Sequence, residues 1–285
     1  MWFLFALLCS LLNALQGAHG KRILRRLDHH VVTWAMFAYA LPLVALALVL
    51  EGIPDIKAPF WPAILVTVTI NLLAVTLYIR ALQLSPLSLT VPLLAFTPIV
   101  LILTGYIALG ELPDTVGAAG IVLIVVGAYV LNLDKLNEGF LAPLRGIAKE
   151  RGSMLMFIVA ILWGISATAD KMAMINSSPL FYLVAFDLLF SVLYLPVLKA
   201  RASGQLKKAI GATPHLLIFA LLGVMMMFFQ LAAMRTGLVS YVIAIKRAGM
   251  VFSILLGYFF FGERHLKIRL MAAALMVTGV CCIVL

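Results

Sequence analysis

Charge is scarce in this chain. Of its 285 residues 11% are charged and 65% are hydrophobic, with 11 acidic residues against 21 basic ones. A water-soluble domain runs at about 25% charged and about 45–50% apolar. So little polar surface cannot coat a soluble globule of this size, which excludes a soluble enzyme, a disordered chain and a small secreted scaffold. Cysteine is scarcer still: Cys9, Cys281 and Cys282 lie in apolar runs, with no CxxC and no histidine at ligand spacing. They read as small buried hydrophobes, and no metal site is expected. Also missing are HExxH, GxSxG, a Walker A loop and an EF-hand loop. The carboxylates are scattered, so neither catalysis nor a cofactor is expected, and nothing offers a docking domain for a partner ATPase.

What the chain does have is long apolar runs. They are continuous and lack the period-two alternation of barrel strands, so they predict membrane-crossing helices. At about 20 apolar residues per crossing, they define ten spans: 2–19, 31–50, 60–83, 87–109, 115–133, 153–175, 179–199, 213–236, 239–261 and 267–285. Breakers or charges separate them. The longest polar stretch, 134–152, predicts a linker between a first half (1–133) and a second half (153–285), each of five helices. The expected fold is therefore an all-α polytopic membrane protein.

The net charge of +10 follows from loops rather than from nucleic-acid binding, which is not expected. Fifteen Lys/Arg lie in the connections after spans 1, 5, 7 and 9: Lys21, Arg22, Arg25, Arg26, Lys135, Arg145, Lys149, Arg151, Lys199, Arg201, Lys207, Lys208, Arg264, Lys267 and Arg269. The opposite side holds Lys57, Lys171 and Arg235. Basic loops stay cytoplasmic, so both termini are expected outside. The first apolar run starts at Trp2, with its basic residues after it. A secretory signal has them before, so a retained first helix is expected, with cleavage near 17–20 as the alternative.

Shifting the chain by 152 residues aligns 80–133 with 232–285 without a gap. LTGYIALGE at 103–111 meets LLGYFFFGE at 255–263, so Gly105, Tyr106, Gly110 and Glu111 meet Gly257, Tyr258, Gly262 and Glu263. A five-helix unit is odd, so the second copy must enter the membrane the other way up. The loops agree: Leu112-Pro113-Asp114 follows the first Gly-Glu, and Arg264-His265-Leu266-Lys267 follows the second. Inverted repeats are a transporter signature, with substrate bound near the midplane and alternating access to the two sides.

With these residues in hand, the sequence resembles the drug/metabolite transporter superfamily, EamA type. The resemblance rests on five plus five inverted helices with Gly-Glu closing spans 4 and 9, on Leu162-Trp163-Gly164 and Asp170-Lys171 in span 6, and on Ala244-Ile245-Lys246-Arg247 and Phe260-Phe261-Gly262-Glu263 in span 9. It covers essentially the whole chain. It implies a secondary carrier whose central cavity is lined by helices 1, 3, 4, 6, 8 and 9, working in export, in a bacterial cytoplasmic (inner, plasma) membrane. Sugar-phosphate exchangers of this superfamily carry a Lys-Arg pair on helix 9 for phosphate, and general EamA-type carriers carry a similar pair. The small four-helix relatives couple through a helix 1 glutamate; here helix 1 offers Asn13 and Gln16 instead.

Ionisable groups deep in a membrane are costly and mark function by default. At 1.5 Å per residue, Lys246 and Arg247 lie about 10–12 Å below the outer boundary, and Asp187 lies at about 12 Å. Lys246 or Arg247 is the expected anchor for an anionic group; an ion pair with Asp187 or Asp170, or snorkelling, is the alternative. Asp187 is the candidate coupling carboxylate, against simple neutralisation of a span 9 cation. Asp170-Lys171 is expected as an interfacial pair and Arg80 as a snorkelling residue. Asn13, Asn71, Tyr78, Gln230, Tyr241 and Thr97 are the neutral cavity candidates. Pro92 and Pro98 are expected to kink span 4 and form a gate, because each removes a backbone donor. Gly105 and Gly257 are expected to permit close helix contact, and Glu111 and Glu263 to cap helices or anchor loops. The expected function is secondary transport of a small polar or anionic metabolite by a monomer in the bilayer. A flippase for a lipid-linked phosphorylated head group is the same-fold alternative; a non-transporting membrane scaffold is the alternative from another class.

Overall fold

The computed structural model describes residues 1–85, 90–131, 149–249, 251–252 and 266–285. Among these every regular element is helical. The longer helices are α1 (Trp2–Ile23), α2 (His29–Glu51), α3 (Phe60–Leu84), α4 (Thr97–Leu109), α5 (Thr115–Leu131), α6 (Arg151–Ile175), α7 (Pro179–Ala202), α8 (Thr213–Thr236), α9 (Val239–Ala248) and α10 (Leu266–Val284), with a short helix, Leu206–Gly211, before α8. Six, α1–α3 and α6–α8, are long and apolar enough to cross a membrane; apolar stretches of α4, α5 and α10 are shorter. Large apolar side chains such as Leu46, Leu65, Leu103 and Val192 remain exposed. Hydrocarbon, not water, is the solvent that accepts such surfaces. Most of the 134–152 stretch, the second half of span 9 and its Gly262-Glu263 motif lie outside the described residues.

One expectation is corrected and two gain detail. Cys9 is buried, but Cys281 is exposed and Cys282 partly so, because α10 leaves one apolar face uncovered. Span 4 is described from Thr90 onward: a 3₁₀ segment, Val91–Phe96, runs into α4, and Pro92 and Pro98 each sit in the first positions of their segment. Thr90 before it is helical and the Thr97 N–H bonds back to the Leu94 carbonyl, so the backbone stays helical while the helix type changes. Asp170 and Lys171, expected as an interfacial pair, are both buried, with Asp170 accepting hydrogen bonds from Tyr182 at 2.6 Å and from Thr67.

The chain divides into two compact units. Unit one comprises Met1–Val68 and Asp170–Arg235; unit two comprises Thr69–Ala169 and Thr236–Leu285. In unit one α2 packs on α7. Tyr182, Phe186, Phe190 and Tyr194 recur every four residues, so they share one helix face. Their rings stack at 5.8, 5.8 and 5.3 Å. Phe37 of α2 sits 4.2 Å from the Phe190 ring. Polar ties fix the pair: Trp34 Nε1 donates to the Ser191 carbonyl at 3.1 Å, and His30 Nδ1 shares a 2.8 Å bond with the Tyr194 hydroxyl. Asp28 caps α2 by accepting from the His30 N–H at 2.8 Å.

In unit two α5 packs on α10 through glycines. A Cβ on Gly120 would lie 2.6 Å from the Gly279 carbonyl, and one on Gly279 would lie 2.6 Å from the Gly120 carbonyl. A Cβ on Gly127 would lie 2.8 Å from the Ala272 carbonyl. The 152-residue offset equates Gly127 with Gly279 and Gly120 with Ala272. The contacts therefore pair each position with the counterpart of the other, the reciprocity of a two-fold relation.

The Gly-Glu pair ending α4 joins distant elements. Gly110 adopts a left-handed conformation (φ 67°) and closes the helix. The chain turns, and Glu111 Oε2 accepts from the Val239 N–H at 2.8 Å, at the first residue of α9. A carboxylate there satisfies a free donor and faces the positive end of the helix dipole.

Candidate functional site

Two groups of polar residues stand out, one in each unit. In unit two the centre is Arg247, in the last turn of α9. Its side chain is partly exposed, but its Nε is enclosed, with no hydrogen-bond partner among the described residues. Its Nη2 donates to Thr97 Oγ1 at 3.4 Å, long for an N–H···O bond. Thr97 is 2% exposed and itself donates to the Leu94 carbonyl at 2.8 Å. Tyr78 of α3 is close enough to Arg247 to interact electrostatically, and its ring lies 5.6 Å from that of Trp163. Asn71 Nδ2 donates to Ser166 Oγ at 2.6 Å, and the Thr104 and Thr168 hydroxyls meet at 2.8 Å. These bonds tie α3 and α4 to α6 beside the arginine.

No carboxylate lies at ion-pair distance from Arg247 among the described residues. The acidic residues described in unit two are Glu111, Asp114 and Glu150. Glu111 is occupied at the start of α9. Asp114 accepts from the Gly117 N–H at 2.7 Å and from the Tyr241 hydroxyl at 3.0 Å. Both contacts lie at the far end of α9 from Arg247, about 9–12 Å away along the helix at 1.5 Å per residue. Tyr241 is thus held by the α5 cap. Lys246 is partly exposed and has partners of its own.

In unit one the centre is Asp187, 4% exposed on α7. It lines a cavity with Leu183, with Met36, Phe37 and Ala40 of α2, and with Ala220, Gly223, Val224 and Met227 of α8. Gln16 reaches toward the same place: a Cβ on Gly223 would lie 2.6 Å from its Nε2, which donates to the Phe219 carbonyl at 3.2 Å and to Met36 Sδ at 3.7 Å. Gln230 is 3% exposed in α8 and also has partners. Asn13 is exposed, and Arg80 of unit two is exposed as well. Pro98 is buried at the start of α4.

Sequence reasoning missed the Tyr182–Asp170–Thr67 cluster and the His30–Tyr194 bond. Aromatic spacing along α7 was readable, but the partners lie on other helices and no local pattern announces them.

The model of the EamA-like transporter family matches residues 1–133 and 150–285. No curated protein matches. Among solved structures, a crystal structure described only as that of a protein aligns with a TM-score of 0.73 at 17% identity, covering 99% of this chain and 95% of that one. At that identity the likeness shows the fold.

Proposed function

The chain belongs to the EamA-like transporter family and is an integral membrane transporter, and from that premise we propose that it is a secondary carrier exporting a small anionic metabolite by alternating access. The observation that carries this reading is Arg247. A guanidinium inside a membrane-spanning helix is costly unless paired. This one has a threonine hydroxyl at 3.4 Å and no carboxylate at ion-pair distance among the described residues. Its donors form a planar fork that suits a carboxylate or phosphate, and Tyr78, whose ring packs against that of Trp163, lies close to it. An anionic ligand offsets the charge that the fold leaves unbalanced.

Ten spans in two inverted five-helix copies supply the alternating-access reading. The match of the family model to two stretches and the reciprocal Gly120–Gly279 and Gly127–Ala272 contacts support it. The basic loops support cytoplasmic placement of the connections after spans 1, 5, 7 and 9. Each copy holds one set of helices, so a monomer suffices.

The test is a thermal-shift screen of detergent-purified protein against inorganic phosphate, a sugar phosphate, a dicarboxylate, and neutral and cationic metabolites, with Arg247→Ala in parallel. A ligand that binds the folded state raises its melting temperature. At least one anion should stabilise the wild type and not the variant. Stabilisation of both proteins by neutral or cationic ligands alone contradicts the reading.

A further inference from the structure

Asp187 is a buried carboxylate that the anion site does not use. Its carboxylate is 4% exposed and borders a cavity shared by α2, α7 and α8. It makes no hydrogen bond and no ion pair among the described residues. The lining from α2 (Met36, Phe37, Ala40) and α8 (Ala220, Gly223, Val224, Met227) contains no group that ionises. Gln16 of α1 spends its amide on Phe219 and Met36. Of the titratable groups on the helices around it, Tyr182 interacts with it electrostatically; Asp170 is bonded to Tyr182, His30 to Tyr194, and Tyr39 of α2 to Thr213. Among the described residues no cation of unit one pairs with Asp187.

Size then selects the ligand. The cavity has room for one or two water molecules rather than for a metabolite-sized ligand. A hard metal cation needs about six oxygen ligands, and the lining side chains offer the two of Asp187. A proton needs one. Burying an ionised carboxylate without a partner costs several kcal/mol, and protonation removes that cost. We infer that Asp187 is a reversible proton-binding site in unit one, apart from the arginine of unit two. A proton adds to one carboxylate oxygen to give the neutral acid and leaves by the reverse step. Ser191, one turn further along α7 and buried with its hydroxyl unpartnered among the described residues, continues the polar line toward Tyr194 and His30.

The experiment is infrared difference spectroscopy of the full chain in lipid, perfused with buffers of rising pH. The wild type should show a protonated-carboxyl C=O band at neutral pH that is lost in alkaline buffer and is absent from Asp187→Asn. Asp187→Glu should restore a titrating band at a shifted frequency, which keeps the claim testable if the asparagine variant does not fold. Superimposable wild-type and variant spectra overturn the inference. So does loss of the band on adding sodium at constant pH, which makes the site one for a metal cation. The readout uses no transported anion, so it stands or falls apart from the Arg247 reading.

Discussion

Arg247 and Glu111 show how differently two charged residues serve one helix. Glu111 sits at the start of α9 and is satisfied there by the Val239 N–H; Arg247 sits at its end with, among the described residues, a single long bond to Thr97. Removing the first should therefore cost stability, and removing the second should cost ligand binding. Glu111→Ala strands a donor at a residue that is 0% exposed, at about 1–3 kcal/mol. Glu111→Gln keeps an acceptor and should recover most of that. Apparent melting temperatures in detergent check both. The importance of the Lys246-Arg247 pair was legible in the sequence, because a charge in an apolar run has few bland explanations. That Arg247 has no carboxylate at ion-pair distance among the described residues was not legible. Nor was the capture of Tyr241 by Asp114, since both depend on residues more than a hundred positions away.

At the level of elements, the Gly-Glu motif acquires a physical meaning. Gly110 stops α4 in a left-handed turn, and Glu111 carries the chain's only described link from that turn to the first N–H of α9. The motif was readable as a helix end, but its partner was not, because capping across elements leaves no trace in local spacing. The prolines of span 4 likewise announced a disturbance without its form. They sit at the start of a 3₁₀ segment and at the start of α4, where the helix type changes. The α5–α10 contact yields a direct prediction. Gly120→Ala places a methyl 2.6 Å from the Gly279 carbonyl, where backbone must move, and overpacking of this kind costs about 1–3 kcal/mol. Gly17→Ala, with nothing within 4 Å of its added Cβ, should leave the melting temperature unchanged or raise it, as expected for a helix position.

For the whole molecule, the class of the protein was legible from composition alone: a chain 65% hydrophobic and 11% charged has no other solvent than the bilayer. The division into compact units was not. Each unit combines stretches from both halves of the chain, and only the packing of distant helices reveals that. The loop charges make a topological prediction. In a background lacking Cys9, Cys281 and Cys282, Asp55→Cys should react with a membrane-impermeant thiol reagent applied from outside, and Arg25→Cys should react only after the membrane is opened. The reverse pattern contradicts the orientation. The central claim, anion transport through Arg247, is tested most directly by flux in proteoliposomes. Labelled phosphate, a sugar phosphate and a dicarboxylate are offered to wild type and to Arg247→Ala. The account predicts that at least one of these anions is carried by the wild type and not by the variant. Movement of a neutral or cationic metabolite at equal rates by both proteins, with none of the anions carried, would contradict it.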